Sequence, residues 1–178
     1  QVVIAGKAHP RDDDAKRIVQ VVFGMKSSPI VGARVAFLED YDMAAAAQLV
    51  AGCDVWLNVP RPPLEASGTS GMKAMFNGGL NLSVLDGWWD EAWDGSNGWA
   101  IHSEPGPDDQ VQDAHDSDQL YSLLEREVVP LFHDRDPDGV PRAWVARIKA
   151  SLRTLGPRFN SSRMLDDYCV QQYPSRSG

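Results

Sequence analysis

Short apolar runs alternate with helical patterns through the first half of the chain. Residues 2–5 read Val-Val-Ile-Ala, a buried-strand pattern that Gly6 ends. Asp12, Asp13 and Asp14 then open a helix predicted to run to about Met25, because acids suit the positive end of a helix dipole. Its apolar positions Ala15, Ile18, Val21, Val22 and Met25 fall on one face. Residues 34–38 predict a second strand, and residues 43–51 an Ala-rich helix closed by Gly52. Residues 55–59 predict a third strand that leads into the Pro-broken loop 60–64. A helix over 70–76 ends at Asn77-Gly78-Gly79, and residues 81–85 predict a fourth strand. Strands alternating with helices at this spacing imply a parallel sheet covered on both faces.

The last third is patterned differently. Residues 120–132 and 142–155 carry one-sided apolar stripes: Leu120, Leu123, Leu124, Val128 and Leu131 on the first, Trp144, Val145, Ile148, Leu152 and Leu155 on the second. A turn-rich connection over 134–141 joins them, and residues 160–162 can cap a last helix over 163–172. From Asp90 to Asp118 there is no Lys or Arg. That stretch reads as a long solvated loop around Trp93 and Trp99, with a short strand at 99–101. The expectation is an α/β part over 1–118 followed by a helical tail over 119–178.

Composition narrows the function classes. Of 178 residues, 43% are hydrophobic and 24% charged, which is globular and neither disordered nor fibrous. No apolar run approaches the ~20 residues that span a bilayer, so no membrane is expected. The net charge of -8 argues against nucleic acid, whose phosphates need clustered cations. Residues 90–178 hold most of the excess, 9 Lys and Arg against 16 Asp and Glu. Cys53 and Cys169 make neither a disulfide framework nor a metal knuckle, and both are expected to be reduced, buried and cytoplasmic. His9, His102, His115 and His133 are scattered without metal-ligand spacing, so no metal is expected. The chain opens in mid-strand with Gln1, which reads as a piece of something longer.

In doubly wound sheets, ligands sit beyond the carboxyl ends of the strands, at helix N-termini. Two segments qualify: Gly6-Lys7-Ala8-His9-Pro10 and Glu65-Ala66-Ser67-Gly68-Thr69-Ser70-Gly71-Met72-Lys73. The second is the richer. Ser67 to Gly71 are five small residues, which let backbone N–H groups approach an anion at a helix start. Lys73 is expected within the first turn, where the positive helix end disfavours an added cation. A lysine that sheds its proton can attack an aldehyde and form an imine. A phosphate cradle beside such a lysine describes a pyridoxal phosphate site, and a glycine-rich turn with a solvated lysine is the plain alternative. Met72 before Lys73 and Ala74 after it do not fit a nucleotide P-loop.

This run, continued through Asn77-Gly78 into Asn81-Leu82-Ser83-Val84-Leu85-Asp86-Gly87-Trp88-Trp89, resembles the glycogen (α-glucan) phosphorylases, the Trp-Trp form being similar to the bacterial branch. Gly6-Lys7-Ala8, Phe37-Leu38-Glu39-Asp40-Tyr41, Val129-Pro130-Leu131-Phe132, Trp144 and Arg163-Met164 extend the likeness along the whole chain. The resemblance implies a Rossmann-like parallel sheet, the C-terminal domain of the two-domain glycosyltransferase fold called GT-B, with C-terminal helices. It implies phosphorolysis of α-1,4-glucan, glycogen or maltodextrin, to glucose 1-phosphate with pyridoxal 5'-phosphate as cofactor. Lys73 matches the cofactor lysine and the catalytic position. Gly68, Thr69 and Ser70 match the turn holding the cofactor phosphate, and Tyr41 a residue beside the cofactor. Glu65, Ser67 and Gly68 match positions that hold the glucosyl hydroxyls. Asp42 departs from the animal enzymes, which carry a basic residue after that tyrosine.

The resemblance also implies what lies elsewhere. The family's phosphate-clamping Arg and Lys residues precede Gln1, as does the first domain with its acceptor-glucan site. The partners implied are therefore that N-terminal domain, α-1,4-glucan and phosphate, with a homo-oligomer left open, and a chain inactive alone. Two other readings remain at this stage. One is a retaining glycosyltransferase that uses a nucleotide sugar on the same fold, against which Lys73 stands where such enzymes place a ribose-binding Glu. The other is a non-catalytic truncated domain that only binds cofactor or partner. Trp88 and Trp89 are read as packing at the foot of the acidic loop, with sugar stacking as the alternative.

Overall fold

A computed structural model describes residues 1–65, 67–104 and 106–173. The chain divides into two compact units, residues 1–49 and residues 50 onward. In the first, β1 (Val2–Ala5) pairs in parallel with β2 (Val35–Leu38), Val2 opposite Val35 and Ala5 opposite Leu38. The crossover is α1 (Asp13–Gly24), extended by a 3₁₀ turn at Met25–Ser27. Asp12 caps it, its carboxylate accepting the Ala15 N–H at 2.9 Å and satisfying a donor that the first turn leaves unpaired. The covered side of α1 is Ala15, Val19 and Val22, whereas Ile18, Val21 and Met25 of the predicted face are exposed. After β2, α2 (Met43–Gly52) starts on Asp42, whose Oδ1 accepts the Ala45 N–H at 2.8 Å.

The second unit holds the larger core. Strands β3 (Val55–Asn58), β4 (Leu80–Val84) and β5 (Gly98–Ile101) form a parallel sheet in that order, with Val55 opposite Leu80 and Asn81 opposite Gly98. Helix α3 (Thr69–Phe76) crosses from β3 to β4, and the short α4 (Trp88–Ala92) lies between β4 and β5. Every residue of the central strand β4 is buried. Leu80, Leu82 and Val84 face one side and pack with Trp99, Ile101, Val128 and Trp144. Asn81 belongs to the opposite side, where its amide donates to the Gly71 carbonyl of α3 at 3.1 Å. The α/β class with parallel strands and trailing helices is as the sequence implies.

The trailing helices are α5 (Asp109–Leu123), a π turn at Leu124–Val128, α6 (Val129–His133), α7 (Arg142–Leu155) and α8 (Ser161–Gln171). Leu120, Leu123, Leu124, Leu131, Phe132 and Ile148 close over the sheet, so sheet and tail share one core. Arg147 lies 4.6 Å above the Trp99 ring and donates to the Gly98 carbonyl at 2.9 Å. Burial pulls its guanidinium below the ordinary value, and Glu127 opposes that shift. A second cluster joins Met75 of α3, Trp88, Trp89 and Ala92 of α4, and Leu155 at the end of α7.

The expected solvated loop over 90–118 is corrected. Ala92 and Asn97 through Ile101 are buried, and a helix begins at Asp109. The acids Asp90, Glu91 and Asp94 that suggested a loop lie on the exposed side of this segment. The buried positions of α5 include polar Gln112 and Asp116, which converge on the Ser103 hydroxyl at 3.0 and 2.6 Å. A helix whose inner face is partly polar shows no apolar stripe. The cysteines also differ from expectation: Cys169 is exposed and Cys53 half-buried, both as free thiols. Among the described residues no helix is long and apolar enough to cross a membrane.

Two outcomes test this packing. Leu82→Ala, at a fully buried position, should cost about 2–5 kcal/mol, read as a lower urea midpoint with little change in slope. Burial raises the Cys53 thiol above its ordinary value, which keeps it protonated and unreactive at neutral pH. Timed alkylation at pH 8 should modify exposed Cys169 first, with Cys53 catching up as the pH rises toward its folded value. The raised value also means that its contribution to stability is full below the unfolded thiol's pKa and is lost as pH rises through the folded one.

Candidate functional site

The segment from Glu65 to Lys73 leaves the carboxyl end of β3 and becomes α3, as the parallel topology requires of a crossover. Its Ala66 lies outside the described residues. Gly68 is the residue before the first helical turn and sits in the left-handed region at φ +79°, which glycine adopts without steric cost. Having no side chain, Gly68 cannot cap the helix, and no side-chain hydrogen bond does so. The positive end of α3 thus presents the Thr69 and Ser70 amides uncapped by any side chain, with two hydroxyls alongside.

This turn rests on the segment that leaves β4. The Glu65 N–H donates to Asp86 Oδ2 at 3.0 Å, and the Trp88 N–H donates to the Ser67 carbonyl at 2.9 Å. Between them Gly87 has φ +56°, and a Cβ there would lie 2.8 Å from the Ser67 carbonyl oxygen. Only glycine lets the two strands' exits approach this closely. The Trp88 indole, 5% exposed, lies under the turn. A Cβ on Gly68 would stand 3.2 Å from its Cδ1, and one on Gly71 would stand 3.2 Å from its Cζ2 and Nε1 and strike Asn81 Oδ1.

The Glu65 side chain is half-buried, and Asn58 at the end of β3 donates to its Oε2 at 3.3 Å. Upstream, Arg61 anchors the loop to α5: its Nε and Nη2 grip the Asp113 carboxylate at 2.8 and 2.6 Å, and Nη1 reaches Asp109 at 2.7 Å. The guanidinium holds the Asp113 carboxyl below its ordinary range, through the hydrogen bond first. Glu65 is therefore fixed at its backbone, its carboxylate and the loop that leads to it.

Glu65, Ser67, Gly68, Thr69 and Ser70 come together on this one ledge. Lys73 follows on the same helix with an exposed side chain, so its amine is reachable. It is the fifth residue of α3 and lies in the last turn, not the first. The helix starts at Thr69 and is only eight residues long, so the dipole argument expected for Lys73 does not apply: the last turn favours a cation. Tyr41 belongs to the first unit, where it stands half-buried between Asp40, at φ +52°, and the helix cap Asp42. The pattern of the sequence singled out none of Asn58, Arg61, Asp86 and Trp88 as ledge residues. Asp86-Gly87 at the exit of a predicted strand was the available sign for Asp86.

A ledge of this kind can bind an anion on backbone amides, place a carboxylate beside a polyol and offer a primary amine to a carbonyl carbon. Residues 1–91, which contain the whole ledge, match the carbohydrate phosphorylase family. Over 174 residues, 97% of this chain and 20% of the relative, the chain is 51% identical to the glycogen phosphorylase of Mycobacterium tuberculosis (strain CDC 1551 / Oshkosh). It is 48% identical to the glycogen phosphorylase of Aquifex aeolicus over 97% of this chain and 25% of the relative. It is 44% identical to the maltodextrin phosphorylase of Thermococcus litoralis over 97% of this chain and 20% of the relative. The chain spans about a fifth to a quarter of the length of these relatives. A glycine turn, an uncapped helix start and a reachable lysine, lying inside a match that runs from β1 to α4, identify the chain as a member of the carbohydrate phosphorylase family.

Proposed function

We propose that this chain is the cofactor-bearing portion of a cytoplasmic α-1,4-glucan phosphorylase, with Lys73 as its pyridoxal 5'-phosphate lysine. The observation that carries the reading is the Gly68 turn: a helix start with no side-chain cap, floored by the Trp88 indole, with Asn81 Oδ1 leaving no room for a Cβ at Gly71. The fit to the cofactor is one of donor chemistry and space. Thr69 and Ser70 would hold its phosphate through amides and hydroxyls, and Lys73 Nζ would be the amine that holds its aldehyde end. When bound, the cofactor supplies a phosphate that exchanges a proton with the substrate phosphate.

The reaction breaks the terminal C1–O bond of the glucan, joins C1 to a phosphate oxygen and returns a proton to the released hydroxyl. This chain's residues bind and orient for it. The Glu65 carboxylate accepts from glucosyl hydroxyls, and Asn58 and Asp86 keep it from swinging away. Tyr41 is assigned beside the cofactor, and Ser67 and Gly68 beside the sugar. The cations that clamp the substrate phosphate are assigned to the remainder of the enzyme, since charge developing on phosphate needs preorganised positive groups.

Two measurements check the proposal. Wild type and Lys73→Arg are incubated with excess pyridoxal phosphate, reduced with borohydride and mapped by mass spectrometry. Arginine keeps the charge but cannot form the link, so the label should concentrate on Lys73 and vanish from that position in the variant. Labelling of Lys73 no stronger than that of Lys26 or Lys149 would refute the assignment. In the second, maltodextrin, phosphate and cofactor are added to the 178-residue chain. No glucose 1-phosphate should form, and clear turnover would show that the clamp is within these residues.

A further inference from the structure

Trp88 is wedged between the anion turn and the junction of α7 and α8. On one side its indole touches the space that a Cβ would occupy at Gly68 and Gly71, and its backbone N–H holds the Ser67 carbonyl. On the other side the Phe159 ring stands edge-on to it, with centroids 5.1 Å apart and planes at 78°. Phe159 follows the fully buried Leu155, to whose carbonyl its N–H donates at 2.9 Å. Trp89, tilted 5.2 Å from Trp88, donates its indole N–H to the Trp99 carbonyl at 3.1 Å, so the neighbouring ring is fixed to β5. An indole packed on every side transmits a displacement because the interior has no slack to absorb it.

We propose that Trp88 is a positioning residue for the anion turn, and that Phe159 holds it there, so that phosphate retention depends on the α7–α8 junction. This rests on the cofactor reading above. If Phe159 is trimmed, the indole gains room to drop away from Gly68 and Gly71. The Ser67 carbonyl and the Thr69 and Ser70 amides then lose their fixed spacing. Hydrogen bonds from these amides to an anion need near-linear geometry and weaken steeply without it. The covalent link at Lys73, which does not use that spacing, is unaffected.

Pyridoxal has the same aldehyde as pyridoxal phosphate and lacks the phosphate, which makes it the matched probe. Affinities of both are measured by borohydride trapping at Lys73 for wild type, Trp88→Phe, Phe159→Leu and Phe159→Ala, with thermal midpoints taken alongside. Wild type should prefer pyridoxal phosphate. Phe159→Leu and Trp88→Phe should weaken that ligand by about three- to tenfold, the scale of one hydrogen bond, and leave pyridoxal unchanged. Should Phe159→Ala fail to fold, Phe159→Leu, which keeps an apolar side chain of similar bulk, carries the comparison. If wild type prefers the phosphate ligand and the variants either keep that preference or lose both ligands equally, Trp88 is only packing and this inference is wrong, while the cofactor reading stands. If wild type shows no preference at Lys73, the cofactor reading falls and takes this inference with it.

Discussion

The parallel pairing of β4 with a neighbour on each edge is the constraint on which the candidate site depends. A strand buried along its whole length must satisfy every backbone N–H and C=O without water, and only neighbours on both edges can do that. Once β3, β4 and β5 lie parallel, their carboxyl ends fall on one side, and the chain must leave and return over the sheet faces. The exits of β3 and β4 then meet. Glu65 hangs on Asp86 and Ser67 on Trp88, and the close approach admits nothing larger than hydrogen at Gly87. The ledge is thus a consequence of sheet topology.

Small residues and one large one divide the work on that ledge. Gly68 supplies a left-handed turn and leaves the positive end of α3 without a side-chain cap. Trp88 fills the volume that the glycines vacate and ties it to Met75, Leu155 and Phe159. Polar anchors serve the adjacent loop. Arg61 spans from the Pro-rich segment to α5 with three hydrogen bonds, a bidentate geometry that gives direction as well as attraction. Because these groups are more than a third exposed, the clasp orders the loop more than it stabilises the fold.

The parts of the molecule written in apolar periodicity were legible from the sequence. β1 to β4, α2, α3 and α7 lie within a residue or two of their predicted bounds, although Val2 and Val3 of β1, expected to be buried, are exposed. α5 was not legible over Asp109 to Asp118, since it turns Gln112 and Asp116 inward to Ser103 and its charges mimic a loop. The apolar positions on α1 were legible but their exposure was not, because periodicity marks a face without saying what covers it. At the site, the small-residue turn and Lys73 stood out by type. Their supports Asn58, Asp86 and Trp88 did not, because they act through contacts that exist only after β3 and β4 pair. The position of Lys73 in the last turn of α3 depended on where this short helix began and ended, which the sequence pattern placed one residue late at its start.

The proposed cofactor site stands or falls with anion binding by the backbone amides at the start of α3. Amide resonances of the 178-residue chain, followed in a ¹H–¹⁵N spectrum during titration with pyridoxal phosphate, test it directly. Hydrogen bonds to a phosphate should move the Thr69 and Ser70 amide protons downfield in a saturable way, and by more than other residues of the second unit. Saturable shifts that spare Thr69 and Ser70, or that centre on residues 6–10 at the end of β1, would contradict it.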